Sequence, residues 1–302
     1  MSRPAQSMTH LGVRVGVNPI LWSNDDFRDL GGDVPLERCL AEMHAAGYAG
    51  TELGHKYPRE QAALGKLLAA HGLALVSGWH STHVLERPIE AEREALARHL
   101  DLLAGLGCRT AIVAECSGRI YDDPGAALQF ERDGLSPEEW DRLGRGLEEL
   151  SRFAEEREMH LAYHHHMGTV VQTEPEIGAL MARTQRLRLL LDTGHLAFAG
   201  ADPVRVLRAH RGRVAHVHLK NVRPEVVHQA WAERWSFGRA VRAGVFTVPG
   251  DGGIDFMPVF ELLREAGYAG WLVVEAEQDP KTAPPLEYAR RARDYVRDET
   301  GL

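Results

Sequence analysis

Short apolar runs and amphipathic segments alternate along nearly all of this chain, and that alternation limits the folds it can adopt. The apolar runs are rich in Val, Leu, Ile and Ala and are close to continuously apolar, as expected for parallel strands covered on both faces. We predict eight strands, at Arg14–Ile20, Gly50–Gly54, Leu73–His80, Thr110–Cys116, His160–His166, Arg188–His195, Val214–Lys220 and Trp271–Glu277.

The segments between these runs have helical spacing. Ser136-Pro-Glu-Glu139 and Thr173-Glu-Pro-Glu176 have the pattern of capping boxes with proline in the first turn, so helices are expected to begin there. Further helices are predicted at Pro35–Ala46, Glu225–Ala243 and Leu286–Val296.

One five-residue pattern occurs twice. Ala46-Gly-Tyr-Ala-Gly50 recurs as Ala266-Gly-Tyr-Ala-Gly270, each time after a helical pattern and before a predicted strand. Glycine in this position is suited to end a helix, so the repeat indicates a repeated helix–strand unit.

Eight strand–helix units in 302 residues favour an α/β fold of the (β/α)8 TIM-barrel type. A doubly wound open sheet is the alternative, but no Gly-x-Gly-x-x-Gly follows the first strand. Since no Pro/Gly-rich linker divides the chain, residues 1–302 are interpreted as a single barrel domain.

The charge balance narrows the classes of partner. Lys plus Arg number 35 and Asp plus Glu 43, giving a net charge of −8, which argues against nucleic acid and anionic membrane surfaces as partners. There is no apolar run long enough to span a membrane and no signal-peptide pattern at the N-terminus. The three cysteines show no metal-site spacing, and a reducing cytoplasm is the simplest setting.

Polar side chains concentrate at the ends of the predicted strands, where a TIM barrel carries its active site. The two-residue period of a strand places His164 with His166 on one face, His216 with His218 and Lys220 on another, and Glu275 with Glu277 on a third. Buried strands accept such groups only when they are paired or bind a metal.

Four consecutive strands therefore offer His164, Asp192, His218 and Glu275 at similar depth. We predict that these four side chains bind one divalent metal, because imidazole and carboxylate ligands together suit Mn, Co, Fe or Zn. For Glu52 and Glu115 the residues alone leave two interpretations open, a structural hydrogen-bond network or a chemical role.

These strand ends are similar to those of the sugar isomerase/epimerase superfamily of xylose-isomerase-like barrels. Within it, the chain resembles the dehydratases of inositol catabolism over nearly its whole length. The most specific stretches are Gly16–Ile20 with Trp22–Asp26, Glu52–Lys56, Ala162–Thr169, Ala232–Phe237 and Gly244–Gly252.

The resemblance implies a carbon–oxygen lyase that removes water from a cyclic keto-polyol, 2-keto-myo-inositol (scyllo-inosose), to give a trihydroxycyclohexane-1,2-dione. It also implies Mn or Co, and it raises glutathione as a further cofactor. Epimerases of the superfamily usually have Glu where this chain has His164, which disfavours sugar epimerisation.

Such a reaction needs a base at the carbon beside the ketone and an acid at the departing hydroxyl. His195, three residues after Asp192, is the first candidate for proton transfer, and the second group is expected among Glu52, Lys56 and Lys220. Trp22 and Trp79 are candidates to stack against the C–H face of the ring. Further substrate contacts are expected from His55, His80, His166 and Glu115.

Three alternatives stay open from the sequence. A ketose or keto-polyol epimerase or isomerase would use the same barrel, and a non-catalytic polyol- or metal-binding protein would use the same ligands. A metal-dependent endonuclease is opposed by the charge of −8. The helical exterior of the barrel is compatible with a homo-oligomer.

Overall fold

The structure is a computed structural model that describes residues 7–128 and 134–302. Eight parallel strands close into a barrel in which each strand pairs with its neighbours in the chain and the last pairs with the first. The prediction of a (β/α)8 barrel is therefore confirmed, and the open-sheet alternative is wrong. The strands are β1 (Arg14–Val17), β2 (Gly50–Leu53), β3 (Ala74–Thr82), β4 (Thr110–Glu115), β5 (His160–His164), β6 (Arg188–Asp192), β7 (Val214–Leu219) and β8 (Trp271–Val274).

Several strands end earlier than their apolar runs predict. The strand predicted to reach His195 stops at Asp192, because the Asp192 carboxylate accepts the backbone N–H of His195 and caps a short helix. His166 and Glu277 likewise lie just beyond the strands that precede them. These chemically important groups are thus held at the transition from strand to loop.

The helices cover the outside of the barrel, and both predicted capping boxes begin a helix. Ser136 accepts the N–H of Glu139, whose carboxylate accepts the N–H of Ser136; Glu176 accepts the N–H of Thr173 in the same way. The helices are α1 (Leu36–Ala45), α2 (Gln61–Ala70), α3 (Ile89–Gly105), α4 (Pro137–Glu155), α5 (Glu174–Arg183), α6 (Thr193–Phe198), α7 (Pro203–His210), α8 (Pro224–Ala232), α9 (Phe237–Arg242), α10 (Met257–Glu265) and α11 (Pro285–Thr300).

The single helix predicted at Glu225–Ala243 is wrong. The segment forms α8 and α9 instead, with a break in which Arg234 has a left-handed φ of 54° and Ser236 caps the second helix. The segment belongs to the long connection after β7, which also contains a short antiparallel pair of Asn221–Val222 with Phe246–Thr247. This connection packs over the end of the barrel where the strands finish.

The repeated pentapeptide is a helix–strand turn in both copies, as predicted. Gly47 follows the end of α1 with φ 86°, and Gly267 follows the end of α10 with φ 65°. Tyr48 and Tyr268 are buried, and each donates its hydroxyl proton to a backbone carbonyl. Glycine is needed because the left-handed conformation is costly for other residues.

Inside the barrel, a small apolar layer lies beneath the polar strand ends. Ile112, Ala162 and Leu190 are buried together, and Trp79 packs against them. Those contacts identify the inward face of β3, β4, β5 and β6, because successive side chains alternate between the two faces of a strand. In the described residues, no helix combines the length and apolarity needed to cross a bilayer.

Two glycines provide a test of the turn assignment. We expect Gly267→Ala to lower the free energy of unfolding by about 1 kcal/mol, because alanine is strained at positive φ. No described atom lies within 4 Å of a Cβ at Gly267 or at Gly178 inside α5, so neither substitution creates a clash. Gly178→Ala is the matched control and is expected to stabilise by about 0.5–1 kcal/mol in urea unfolding. Equal effects at the two positions would contradict the assignment.

Candidate active site and metal centre

A pocket of about 240 Å³ opens at the end of the barrel where the strands finish. It is lined mainly by ionisable groups, with Trp79, Tyr121, Ile20, Leu53 and Ile112 supplying apolar and aromatic surface. The ionisable and amide side chains of the lining are Asn18, Asp25, Asp26, Arg28, Glu52, His55, Arg59, His164, His166, His218, Glu275 and Glu277.

The four predicted metal ligands come together beside this pocket, which His164, His218 and Glu275 line. His164 Nε2 and His218 Nδ1 each lie 3.4 Å from Asp192 Oδ2, and His218 Nδ1 lies 2.7 Å from Glu275 Oε2. All four side chains are buried. Ligands held about 2.1 Å from one ion lie roughly 3.0–3.4 Å from each other, so this spacing is close to that of a shared coordination sphere.

The hydrogen-bonding state of these atoms also fits a cation. Asp192 Oδ2 and His218 Nδ1 are buried, and no described group forms a hydrogen bond of regular geometry with either atom. Buried polar atoms without such partners are unfavourable unless another group compensates them. One group of residues with ligand atoms within 4.8 Å of one another is His164, Asp192, His195 and Glu275, which contains three of the predicted ligands and has His195 in place of His218. His218 belongs to a neighbouring group with Glu52 and His216, and His195 is shared with a third group that contains His166 and Glu277.

Glu52 fixes the orientation of His218 from behind. Its Oε1 atom lies 3.2 Å from His218 Nε2 and 2.7 Å from His216 Nε2, while Asn18 donates to its Oε2 at 2.7 Å. Glu275 lies at the other ring nitrogen, and although burial opposes the charge of His218, Glu275 and Glu52 outweigh it and raise the pKa of the ring. If a cation takes the place of the Nδ1 proton, the carboxylate at Nε2 would hold the remaining proton and leave the Nδ1 lone pair directed at the ligand cluster. Burial opposes the charge of Glu52, but His218 and His216 outweigh it and lower the pKa of the carboxyl group.

The buried ammonium group of Lys220 is paired with three buried carboxylates. Its fully buried Nζ is 2.7 Å from Glu275 Oε1, 2.8 Å from Glu277 Oε2 and 3.3 Å from Asp192 Oδ2. Burial disfavours the ammonium ion, yet the three carboxylates prevail and raise the pKa of Lys220. A Cβ at Gly194 would come within 2.4 Å of the Lys220 stem, which explains glycine in the Asp192-Thr-Gly-His195 stretch.

The backbone of Met167 fixes two histidine rings in opposite senses. Its N–H donates to His195 Nδ1 at 3.3 Å, and its carbonyl oxygen lies 2.8 Å from His166 Nδ1. The neutral His195 ring therefore carries its proton on Nε2, whereas neutral His166 has its lone pair there. Both Nε2 atoms face Glu277 Oε1, at 3.5 Å for His195 and 3.8 Å for His166.

His195 lies one layer behind the pocket surface. Its ring centroid is 4.1 Å from that of His166, and it is fully buried. Burial, followed by the positive charge of Lys220, lowers the pKa of His195 well below its ordinary value, so the ring is neutral at neutral pH. His195 is thus arranged as a neutral hydrogen-bond donor.

Trp22 and Lys56, both expected at the site, lie outside the pocket lining. Trp22 is completely buried and donates its indole N–H to Glu42 at 2.7 Å, so the expectation that it stacks on a substrate is corrected. Lys56 donates to the carbonyl oxygens of Gly31 and Gly32 at 3.1 and 3.0 Å, and its ammonium group is used to hold that loop. The catalytic assignment of Lys56 is corrected for the same reason. Trp79, the alternative aromatic residue, does line the pocket.

His80 and Glu115 face away from the barrel interior, because their neighbours Trp79 and Ala114 occupy the inward positions. His80 packs against His99 of α3, with ring centroids 5.5 Å apart. Glu115 accepts the hydroxyl of Thr82 at 2.8 Å and the N–H of Val84 at 3.0 Å, which anchors the loop after β3. The prediction that His80 and Glu115 contact the substrate is therefore corrected. For Glu115, the position fits the other interpretation, a structural hydrogen-bond network.

His55 and His166 line the pocket as predicted, although the structure does not test their roles. His55 Nδ1 lies 2.5 Å from Asp25 Oδ1. Asp25, Asp26, Tyr121 and the amide of Asn18 line the pocket without having been assigned a role from the sequence. The distinctive stretch Trp22–Asp26 was the available signal, but a loop has no periodicity that says which of its side chains point inward.

Residues 12–299 of the chain match a family model described as "Xylose isomerase-like TIM barrel". The inosose dehydratase of Geobacillus thermodenitrificans is 48% identical over 292 residues, covering 96% of this chain and 98% of that protein. The rhizopine catabolism protein MocC of Rhizobium meliloti is 48% identical over 287 residues, covering 95% of this chain and 88% of that protein.

Solved structures match at the level of the fold. The D-allulose 3-epimerase from Methylomonas sp. in complex with D-allulose superposes with a TM-score of 0.67 over 99% of both chains, at 19% sequence identity. An identity this low supports the shared barrel and not a shared reaction.

Proposed function

The chain belongs to the xylose isomerase-like TIM barrel family, and from this membership and its full-length relatives we propose that it is an inosose dehydratase. The proposed enzyme is a carbon–oxygen lyase of inositol catabolism. It would remove water from 2-keto-myo-inositol (scyllo-inosose) and form a trihydroxycyclohexane-1,2-dione.

The observation that carries the proposal is the identity of 42–48% to several inosose dehydratases over at least 96% of this chain. The pocket supports it, since a cavity of about 240 Å³ with many carboxylate and imidazole groups suits a small polyol. The epimerase structure shares only 19% identity, so its reaction is the weaker candidate.

His164, Asp192, His218 and Glu275 are the residues proposed to hold a divalent cation, with Mn or Co proposed as its identity. Two nitrogen and two carboxylate ligands suit either metal. Such a cation would stabilise the negative charge that develops on the ketone oxygen when the neighbouring carbon loses its proton.

The protein groups around this cluster have distinct proposed tasks. His166 lines the pocket, and with its Nδ1 directed at the Met167 carbonyl oxygen the neutral ring would have its lone pair on Nε2, which suits it to accept the proton from carbon; His195 is suited to donate a hydrogen bond from Nε2. Glu52 would position His218, and Lys220 would keep Asp192, Glu275 and Glu277 close together. His55 and Trp79 would contact the substrate ring.

Other interpretations stay as predictions. A keto-polyol epimerase and a non-catalytic polyol-binding protein are the functional alternatives. The single-domain interpretation of residues 1–302, the cytoplasmic location, the absence of nucleic-acid and membrane partners, the homo-oligomer and the use of glutathione also stay predictions.

We expect the purified protein with Mn²⁺ to convert scyllo-inosose to a dione, because its relatives are inosose dehydratases and the pocket suits a small polyol. The product is followed by its ultraviolet absorbance and by mass spectrometry, which detects the loss of water. Chelator-treated protein and protein with added glutathione are measured in parallel.

The same assay separates the alternatives. Interconversion of ketohexoses or keto-polyols without loss of water would favour an epimerase. Binding of scyllo-inosose in calorimetry without turnover under any of these conditions would favour a binding protein, and either result contradicts the proposal.

Metal affinity tests the proposed task of Glu52. We expect Glu52→Gln to weaken Mn²⁺ binding about 10–100-fold, because groups that orient a ligating histidine typically contribute this much. Glu115→Gln is the matched control: Glu115 is another buried glutamate of a barrel strand, but it faces the helices. Competition with a fluorescent chelator gives both affinities. Equal Mn²⁺ affinities in the two variants would contradict the positioning role.

A further inference from the structure

We propose that Asp26 is the acid that delivers a proton to the departing hydroxyl group of the substrate. The inference rests on the proposed dehydratase function and adds a catalytic residue outside the candidate metal cluster. It is carried by the path of the loop after β1, by the anchoring of Asp26, and by the groups that face it.

The loop after β1 crosses the mouth of the barrel. Asp29 pairs with Arg242 of α9 at 2.8 Å, and the ring of Phe27 lies 6.1 Å from that of Phe237 on the same helix. Because α9 belongs to the connection after β7, the loop spans the end of β8, which lies between β1 and β7. Asp26 is thereby carried over the pocket.

The backbone of Asp26 is fixed within this loop. The buried side chain of Asn24 accepts the N–H groups of Asp26 and Phe27, both at 2.8 Å. The N–H of Asn24 in turn donates to Leu30 at 2.9 Å, which closes the loop. Asp26 lines the pocket, and among the described residues none forms a hydrogen bond with its carboxyl group. It is therefore available to a substrate.

The surroundings of Asp26 favour its protonated form mainly because they bury it, while the charged groups that face it act in both directions. Burial is the largest contribution and raises the pKa of Asp26 to about 6, with Glu277 and Asp25 adding to the shift and His166 and Lys220 opposing it. Cys116, at the start of the loop after β4, and Tyr121, further along that loop, also interact electrostatically with this carboxyl group. An acid of this strength can donate a proton near neutral pH.

A base takes the proton from the carbon beside the ketone, and the electron pair left behind forms the carbon–carbon double bond as the neighbouring C–O bond breaks. The electron pair of that C–O bond goes to oxygen, which receives the Asp26 proton, and water departs. Asp26 is left as a carboxylate and regains a proton from solvent.

The test compares Asp26→Asn with the wild type on two substrates, scyllo-inosose and its analogue in which fluorine replaces the departing hydroxyl. Fluoride leaves without being protonated, so it does not need an acid. We expect kcat on scyllo-inosose to fall about 10²- to 10⁴-fold, which is the usual contribution of an acid or base. The rate on the fluorinated analogue should stay close to that of the wild type.

The pH profile supplies an independent measurement. An acid must be protonated to act, so wild-type kcat should fall as the pH rises through the pKa of Asp26, and this alkaline fall should disappear in Asp26→Asn. Asp33→Asn, an exposed position in the same loop, is the matched control and should behave as the wild type. Metal content and circular dichroism of each variant are measured alongside.

The outcomes are distinguishable. If Asp26→Asn loses rate equally on both substrates, or loses none on scyllo-inosose, Asp26 is not the acid, although the dehydratase function stands. If the wild type itself does not dehydrate scyllo-inosose, the proposed function fails first. Should Asp26→Asn not fold, Asp26→Ala also removes the acid and is measured in the same way.

Discussion

One buried ammonium group balances three buried carboxylates at the end of this barrel, and the organisation of the site follows from that balance. Lys220 lies 2.7–3.3 Å from carboxylate oxygens of Asp192, Glu275 and Glu277, in surroundings that exclude water. Isolated charges in such a place would each cost several kcal/mol, so they must occur together. The strands of the barrel bring them together because β6, β7 and β8 are neighbours and end at the same rim.

Around this charge cluster, precise orientation comes from groups outside the four proposed metal ligands. Glu52 determines which nitrogen of His218 faces Asp192 and Glu275. The peptide of Met167 determines the tautomers of both His166 and His195. Asn24 fixes the backbone of Asp26. Hydrogen bonds from Glu52, Met167 and Asn24 thus fix the orientation of the ionisable side chains at the mouth of the barrel.

The sequence predicted the barrel and the convergence of the four candidate ligands because both depend on periodicity. Apolar runs at regular intervals indicate a closed parallel sheet, and the two-residue period places His164, Asp192, His218 and Glu275 inward. For His80 and Glu115 the period gave no direction, because each face of β3 and of β4 carries apolar residues and the sequences do not reveal which face is inward. Trp22, Lys56 and Asp26 lie in loops, where side-chain direction is set by contacts such as that of Lys56 with Gly31 and not by any local pattern.

The central claim is that the cluster at the barrel mouth binds a divalent cation, and anomalous X-ray diffraction from crystals grown with Mn²⁺ tests it most directly. The account predicts one strong anomalous peak about 2.2 Å from ligand atoms of His164, Asp192, His218 and Glu275. A peak held instead by His166, His195 and Glu277, or no peak at saturating Mn²⁺ with Lys220 still bound to all three carboxylates, would contradict it.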